Sequence, residues 1–555
     1  MHLLWLVSSA TIICLSAIFL AYLFLSEDMI TPGSVQPLDP DAFSSLFCEG
    51  ATAAARQCII TNLCYLPAER QFVMIESANS RFIGIHNSSD LQPLLKLNPV
   101  VDHNLFDLNL IPVTAKWLSV RHAVFHRGDF FVFEPFKPDN LMHVLHDDLL
   151  PAYLTMYKLC YGEMGECVRR WRPLLRSDSL PSPLAPLYAA LWDNPPTPTG
   201  ELDPSTPHCF ERSHLGLRSD SLWYQYGFER PQSPLPTPFL HHEHLDDFRA
   251  HLLWRLGATV GSGDPQPSQP GYVLLLSRTE SRLILNEAAL SVALVARLGR
   301  PVRRLALEET SLSAAAALAA GADLLVGMHG AGLALALVLP PGGAVLELFP
   351  YGLRPERYRP YQRLCQLRGL GYRAWVNTDP ASSVVPGPEA TSDRGGIGHL
   401  DDAERKRVET LQEVPETLCC SDPAFLYRVY QDTMVNTAAV SAAAEAVLAS
   451  ARPRRRRTRG ALFFPGPARH LTAQAEGDSR LIEWRPPVNA APEAVSYRVW
   501  VRQGERVGEY RVRRPRLTVA AECGLCRLQV WVRTEVDGRT GPVAHETFEL
   551  NEPPA

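Results

Sequence analysis

The sequence predicts an α/β protein with an N-terminal transmembrane helix and a C-terminal β-sandwich. Three observations predict this fold class. Residues 3–25 form an uncharged apolar stretch, strand and helix patterns alternate over 272–349, and short runs of alternating polarity fill 480–550. A chain of 555 residues is long enough for about three or four domains.

The N-terminal stretch 3–25 is long enough to span a bilayer, because about 20 apolar residues cross the hydrocarbon core. A cleaved signal peptide has a shorter apolar region and a small-residue cleavage site. We therefore expect an uncleaved anchor over 1–26, followed by a polar stem over 27–43. The flanking charges do not decide the orientation. A glycosylation sequon at Asn87 suits a lumenal body.

The next region, 44–265, carries a cluster of polar residues at a helix start. The apolar spacing over 137–160 predicts the helix, and its first turns contain His143, His146 and Asp147. Imidazole and carboxylate groups accept protons from substrate hydroxyls, so the cluster is a candidate for acid/base chemistry. The alternative is a polar helix start stabilised by the helix dipole. No third ligand region accompanies the two histidines, so we expect no metal site.

An aromatic cluster follows at 223–228 and includes Trp223, Tyr224 and Tyr226. Aromatic rings stack on sugars, and they also fill cores, so both interpretations stay open. The segment 172–207 is rich in proline and predicts an irregular loop. Residues 261–270, GSGDPQPSQP, predict a linker that separates this region from the next one.

Residues 266–445 alternate between strand and helix patterns, which predicts a Rossmann-like half-domain with four strands over 272–349. Its centre is 323–350, a strand, a His-Gly-Ala-Gly turn, a short apolar helix and a second strand. Ligands of such sheets bind at the carboxyl ends of the strands. Amide groups at a helix start are suited to an anion. The alternative is a sharp turn that His329 caps.

Several residues fall at the ends of these predicted strands and are candidates for binding a nucleotide-type ligand. They are Ser277, Arg278, Arg282, His329, Gly330, Ala331, Gly332 and Glu347. Arginine binds diphosphates through charge-assisted hydrogen bonds, although a surface salt bridge is the alternative for Arg278. The GxGxxG and P-loop motifs are absent from the sequence, which disfavours NAD and ATP.

The C-terminal part begins with a basic linker over 446–465. The alternating runs of 466–555 predict a sandwich of the fibronectin type III kind, which is a binding or scaffolding module. The net charge of −5 gives no indication of a nucleic-acid partner. The 12 cysteines include a lone CxxC at 523–526 and no paired CxxC motifs, so a zinc site of that type is excluded.

Longer motifs resemble a known family. They are PDNLMHVLHDDLLP at 138–151, WYQYGF at 223–228, SRT at 277–279, RLILNE at 282–287, MHGA at 328–331, ELFPY at 347–351 and LCC at 418–420. In these motifs the chain is similar to glycosyltransferase family 61, and the resemblance runs from the anchor to the terminal sandwich. The segments 172–207 and 452–459 are less typical of the family.

The resemblance implies a GT-B-like catalytic part made of two Rossmann-like halves, an acceptor-side half over 44–265 and a donor-side half over 266–445. It implies a single-pass type II protein of the endoplasmic reticulum membrane with a lumenal catalytic part. The implied reaction is inverting transfer of N-acetylglucosamine from UDP-GlcNAc, in β-1,4 linkage, to protein-linked O-mannose. α-Dystroglycan is the implied acceptor. No metal cofactor is expected.

In such a reaction Asp147 or His146 is expected to act as the base. Arg278 and the amides of 330–332 would hold the diphosphate, and Glu347 would bind the ribose or uracil.

On the acceptor side, Trp223 and Tyr226 would face the sugar. The sandwich would bind the acceptor protein or a second copy of the chain in a homodimer.

Two alternatives remain from the sequence. One is a family member with another acceptor, such as an EGF domain, and the other is a non-catalytic membrane-anchored binding protein.

Overall fold

A computed structural model describes residues 36–549 apart from a set of gaps. The gaps are 40, 51, 78–79, 84–94, 98, 100–105, 161–163, 181–182, 227–230, 237–239, 259–270, 388, 416–421, 452–464, 488–489, 491, 505, 522–526 and 537–538. The predicted anchor, the sequon at Asn87, the linker 261–270 and the basic run 452–459 lie outside the described residues. Among the helices that are described, none is long and apolar enough to cross a membrane.

The described residues form a mixed α/β architecture, and its first part is built on a ten-stranded sheet. The strands are Gln36–Pro37, Ser45–Glu49, Gln57–Leu66, Gln71–Ile75, Arg81–Ile83, Ile111–Val113, Val124–Phe133, Trp171–Leu175, Thr197–Pro198 and His208–Leu215. Strands Trp171–Leu175 and His208–Leu215 pair in parallel with Val124–Phe133. Gln36–Pro37 runs antiparallel to Val124–Phe133, and Gln57–Leu66 runs antiparallel to His208–Leu215. This sheet is therefore mixed rather than fully parallel.

Both faces of this sheet are covered by core. Along Val124–Phe133, Phe131 and Phe133 pack into the large helical core, while Phe130 and Val132 pack into a second core on the opposite face. The helices of this part are Ala115–Val120, Leu141–His143, Val144–Leu149, Leu150–Leu159, Met164–Arg170, Ala185–Ala189 and His242–Arg255.

Three disulfides link cysteines of this part: Cys48–Cys58, Cys64–Cys209 and Cys160–Cys167.

The second part is a five-stranded, fully parallel sheet. Its strands, in spatial order, are Val302–Ala306, Tyr272–Ser277, Ala322–Met328, Ala344–Phe349 and Gly371–Val376. Its longer helices are Glu287–Leu298, Leu312–Ala320, Ala331–Val338, Pro360–Arg368, Asp402–Thr410, Pro423–Val429 and Thr437–Ser450. The apolar runs of the central strands are buried on both faces, as a parallel sheet covered by helices requires.

The third part is a two-layered antiparallel sandwich. One layer contains Arg469–Glu476, Ser479–Arg485 and Arg516–Ala520; the other contains Ser496–Gln503, Arg506–Val512, Arg527–Val536 and Arg539–Glu549. Alternate residues of both layers fill its core, where the rings of Trp484 and Tyr497 meet edge to face at 5.2 Å.

The sandwich packs against the first part. The ring of Phe47 lies 5.3 Å from that of Trp500 and 6.3 Å from that of Trp531. Beside these rings, Glu49 accepts a hydrogen bond from Lys158 at 2.8 Å and forms an ion pair with Arg533 of the sandwich. One carboxylate thus joins a helix of the first part to a strand of the third.

Two predictions about the fold need correction. The segment 172–207 is not one loop, because Trp171–Leu175 and Thr197–Pro198 extend the first sheet and Ala185–Ala189 is helical. The second sheet has a fifth strand, Gly371–Val376, that the prediction of four strands omitted.

Candidate functional site

The acid/base candidates lie on a helix that follows the strand Val124–Phe133. The side chain of Asn140 caps this helix by accepting hydrogen bonds from the backbone of Met142 and His143. The next turns, Val144–Leu149, are π-helical and continue into the α-helix Leu150–Leu159. The helix type changes just before Pro151, which lies in the first turn of the α-helix. Such wide turns often occur at functional sites because they displace side chains from the regular spacing.

Asp147 is the centre of the cluster. Its Oδ2 lies 2.5 Å from Nδ1 of His143, and its Oδ1 lies 2.6 Å from Nδ1 of His146. Nε2 of His146 accepts hydrogen bonds from the backbone N–H groups of Trp223 at 3.1 Å and Tyr224 at 3.3 Å. Nδ1 of His146 therefore carries the ring proton and donates a hydrogen bond to Asp147.

This arrangement gives the three residues different roles. Asp147 and His146 have no exposed surface, whereas the side chain of His143 keeps 6% of its exposure. Both ring nitrogens of His146 are occupied by the contacts above, so it orients Asp147 and the neighbouring backbone. The prediction that Asp147 or His146 meets the acceptor hydroxyl directly therefore needs revision, because neither offers an accessible atom.

The aromatic cluster also differs from its prediction. Trp223 and Tyr224 are buried, and they connect the first part to the second. The indole N–H of Trp223 donates to the carbonyl of Pro360 at 3.2 Å, and the hydroxyl of Tyr224 accepts from the backbone N–H of Arg359 at 3.1 Å. Tyr226 is also buried and lies against His143, with 4.6 Å between the ring centroids.

His329 directly follows the strand Ala322–Met328 and lies beside Glu347 of the next strand. Nδ1 of His329 is 2.5 Å from Oε1 of Glu347, and the hydroxyl of Tyr372 donates to Oε2 at 2.6 Å. The imidazole stacks on Phe349 at 5.0 Å. Burial and the Glu347 carboxylate raise the pKa of the Tyr372 hydroxyl, which therefore remains a donor.

Glu347 has no exposed side-chain surface, while His329 keeps 11%. The prediction that Glu347 binds the ribose or uracil therefore also needs revision, since both of its oxygens already accept hydrogen bonds inside the protein.

The Gly-rich turn lies against Arg282. A Cβ at Gly330 would lie 2.6 Å from Nη1 of Arg282, and the same Nη1 donates to the carbonyl of His329 at 3.3 Å. Glycine at 330 thus lets the guanidinium approach the turn closely. The helix Ala331–Val338 begins here, so its first amides have no partner within the helix and are suited to an anion.

Arg282 is held in place by an aromatic ring. Its guanidinium lies 4.4 Å from the ring centroid of Tyr430, and burial lowers its pKa from the usual value for arginine. The Nε atom of Arg282 is buried and has no hydrogen-bond partner among the described residues. A buried cation with an open donor beside a helix start is suited to a phosphate.

The two other strand-end candidates have different surroundings. The hydroxyl of Ser277 donates to Glu287 at 2.8 Å and accepts from Arg304 at 3.1 Å, so it supports the strand end. Arg278 is half-buried, and its Nε lies 3.4 Å from Glu308.

The cluster around Asp147 in the first part lies near the segment that begins at His329 in the second part. The turn Leu141–His143 packs against the helix Ala331–Val338, which begins two residues after His329. The structure therefore brings the acid/base cluster and the candidate anion site to one boundary between the first and second sheets. Across the ranges that the structure covers, no group of three His, Cys, Asp or Glu side chains is arranged to hold a metal ion.

Sequence reasoning missed Tyr372 and Tyr430, which support Glu347 and Arg282. Neither tyrosine carries a local signal, because each reaches its partner from a distant segment. The parallel pairing of Gly371–Val376 with Ala344–Phe349 brings Tyr372 to Glu347, and that fifth strand was not predicted.

The two groups together define a class of protein. One is a carboxylate-backed histidine, and the other is a candidate anion site lined by arginine and glycine at the same boundary. This combination is typical of an enzyme that transfers a group from a phosphate-bearing donor to a hydroxyl.

Comparison with known proteins gives the family. The family pattern described as Glycosyltransferase 61 matches residues 141–346, which include the acid/base cluster at 143–147 and His329. The chain belongs to glycosyltransferase family 61.

Curated relatives carry the name protein O-linked-mannose beta-1,4-N-acetylglucosaminyltransferase 2. Those of Bos taurus and Mus musculus are each 35% identical over 479 residues, 83% of this chain and 80% of the relative. That of Xenopus tropicalis is 33% identical over 477 residues with the same coverage. Among solved structures, the rat CD45 extracellular domains d3–d4 overlap 16% of this chain and 49% of that chain, at 12% identity and a TM-score of 0.14. That likeness carries no argument.

Proposed function

We propose that this glycosyltransferase moves N-acetylglucosamine from UDP-GlcNAc, in β-1,4 linkage, to O-mannose on proteins such as α-dystroglycan. The observation that carries the proposal is the similarity to relatives of that name over 80% of their length. The two clusters that meet at the sheet boundary supply the groups that such a transfer requires.

The reaction is a single displacement with inversion at the anomeric carbon. Asp147 accepts a hydrogen bond from the Nδ1–H group of His143, so Nε2 of His143 is the basic nitrogen of this ring. That nitrogen takes the proton of the mannose 4-hydroxyl as the oxygen attacks the anomeric carbon. UDP leaves from the opposite face. Tyr226, which lies against His143, is the aromatic residue that faces the acceptor sugar.

The leaving diphosphate is stabilised by protein groups, and the reaction proceeds without a metal. Arg282 and Arg278 supply positive charge, and the amides of Ala331 and Gly332 supply hydrogen bonds at the helix start. Support comes from the buried, unpartnered Nε of Arg282, which lacks an acceptor among the described residues.

The same proposal covers the architecture and location of the protein. The first two sheets form a GT-B-like pair over 44–265 and 266–445, a linker occupies 446–465, and the sandwich over 466–555 is a fibronectin type III module. Residues 1–26 anchor the chain as a type II protein of the endoplasmic reticulum membrane, and 27–43 form the stem.

The three disulfides support a lumenal body, because disulfides persist in oxidising compartments. The proposal also includes a homodimer that forms through the sandwich.

The test is transfer by the full chain in detergent from UDP-GlcNAc to an O-mannosyl peptide, with EDTA present and the product linkage read by NMR. A β-1,4 product is expected. If the enzyme modifies only an EGF domain, the proposed acceptor is wrong and the EGF domain replaces it. Activity that requires added divalent metal would overturn the metal-free mechanism. No binding of UDP would contradict the enzyme and favour a non-catalytic binding protein.

A further inference from the structure

We infer that Glu347 and Tyr372 are positioning residues that act through His329, and that His329 contacts the β-phosphate of the nucleotide diphosphate. This inference rests on the proposed function, because it assigns how the donor's leaving group is recognised. In this inference Glu347 orients His329 and does not itself bind the ribose or the uracil base.

Burial excludes Glu347 from direct contact with a ligand. Its side chain has no exposed surface, and its two oxygens accept hydrogen bonds from His329 at 2.5 Å and from Tyr372 at 2.6 Å. A buried carboxylate is retained in a fold only where such partners compensate for lost hydration. His329 keeps exposed surface, so a ligand at this site meets the imidazole and not the carboxylate.

The hydrogen bond to Glu347 fixes the chemistry of the imidazole. Nδ1 donates to the carboxylate, so Nε2 is the nitrogen left to meet a ligand. A phosphate oxygen is an acceptor and requires an N–H at that position, which makes the liganded form the imidazolium with Glu347 as its counter-ion. Charge that develops on the leaving diphosphate is then met by a cation whose own charge is already balanced inside the protein.

Aromatic rings flank the imidazole of His329 and hold its orientation. Phe349 stacks on the imidazole at 5.0 Å, and Tyr361 meets it at 5.9 Å. The backbone N–H of His329 donates to the carbonyl of Leu348 at 2.8 Å, which ties the residue to the neighbouring strand. The Gly330 turn follows His329 directly in the chain, so the ring and the candidate phosphate amides share one short segment. Arg282 reaches this segment from a distant part of the chain and donates to the carbonyl of His329.

The test compares UDP with UMP, which lacks the β-phosphate, as ligands of the full chain in detergent by calorimetry. We expect Glu347→Gln to weaken UDP binding about 10- to 100-fold, the range for a hydrogen bond to a charged group. UMP binding should change less than about twofold, the few tenths of a kcal/mol typical of a substitution away from the ligand. Tyr372→Phe should give a smaller loss with the same selectivity. Glu445→Gln, in a surface ion pair with Arg297, is the matched control and should change neither ligand.

A double-variant cycle separates positioning from general damage. His329→Ala should show the same selective loss, and adding Glu347→Gln to it should cause no further loss, because the carboxylate acts only through the imidazole. Equal weakening of UDP and UMP, or additive losses, would overturn the inference. Unchanged UDP binding by Glu347→Gln would also overturn it while leaving the proposed function intact. Failure of the unmodified chain to bind UDP would contradict both.

Discussion

Asp147 is a carboxylate without exposed surface, and the two histidines beside it make that burial tolerable. Removing a charge from water costs several kcal/mol unless hydrogen bonds compensate for it. His143 and His146 each place a ring nitrogen within 2.6 Å of one of its oxygens. The three residues therefore act as a unit, and a substitution in one of them changes the others.

The two histidines should nevertheless respond differently to removal. We expect His143→Ala to lower kcat by about 10²- to 10⁴-fold, the range for loss of a general base, while UDP affinity is retained. His146→Ala removes the acceptor of two buried backbone N–H groups and should lower the free energy of unfolding by about 1–3 kcal/mol.

Steady-state kinetics and urea unfolding measure the two effects, with the exposed His399→Ala as control. Full turnover by the His143→Ala protein would contradict the base assignment.

At the scale of the element, the strand His208–Leu215 carries a histidine that the fold keeps neutral. Burial, together with the nearby Lys158, lowers the pKa of His214 to about 3. Its Nε2 donates to the carbonyl of Gly216 at 3.2 Å, and its ring stacks on Phe131. The unfolded chain takes up a proton below about pH 6.5, whereas the folded chain does not.

His214 should therefore make the fold sensitive to mild acid. Its contribution is present above pH 6.5 and is lost as the pH falls toward 3, at about 1.4 kcal/mol per pH unit. We expect His214→Gln, which retains a donor for Gly216, to show a shallower decline between pH 7 and pH 5.5. Urea unfolding at several pH values measures the slope. An identical slope for both proteins would show that another group controls it.

Elements that follow from the local sequence pattern could be predicted. Elements that depend on pairing with a distant segment could not. The strands and helices of 272–349 follow from apolar runs and turn residues. The strand Trp171–Leu175 was missed because prolines obscure it, and its pairing with Val124–Phe133 is set by the sheet. The grouping of His143, His146 and Asp147 was predictable from helical spacing. The hydrogen bonds that fix the ring of His146 could not be predicted, because its partners Trp223 and Tyr224 lie far along the chain.

At the scale of the whole molecule, Glu49 joins the sandwich to the first part. The side chains of Lys158 and Arg533 that flank it are 11% and 8% exposed, so removal of the carboxylate leaves two poorly hydrated cations. The rings of Phe47, Trp500 and Trp531 surround the same contact. The docking of the sandwich therefore depends on charge and on apolar packing together.

We expect Glu49→Ala to destabilise the full chain by about 3–5 kcal/mol, as breaking a buried ion pair does. Glu413→Ala removes a partly exposed carboxylate that pairs with Arg354 and Arg357, and it should cost less than about 1 kcal/mol. Urea unfolding followed by tryptophan fluorescence compares the two. An early separate transition in the Glu49→Ala protein would show that the sandwich has become independent, and equal effects of both substitutions would contradict the role of Glu49.

The cross-link between Cys64 and Cys209 sets an order of events during synthesis. Its two sulfurs are separated by 145 residues, and it joins neighbouring antiparallel strands of the first sheet. At about 5–20 residues per second, the second cysteine emerges about 7–30 s after the first. Throughout that interval Cys64 is exposed to exchange with Cys48, Cys58, Cys160 and Cys167, which emerge earlier. Any early pairing of Cys64 with one of these cysteines must be exchanged before its bond to Cys209 can close, so slow thiol–disulfide exchange should favour mispaired protein.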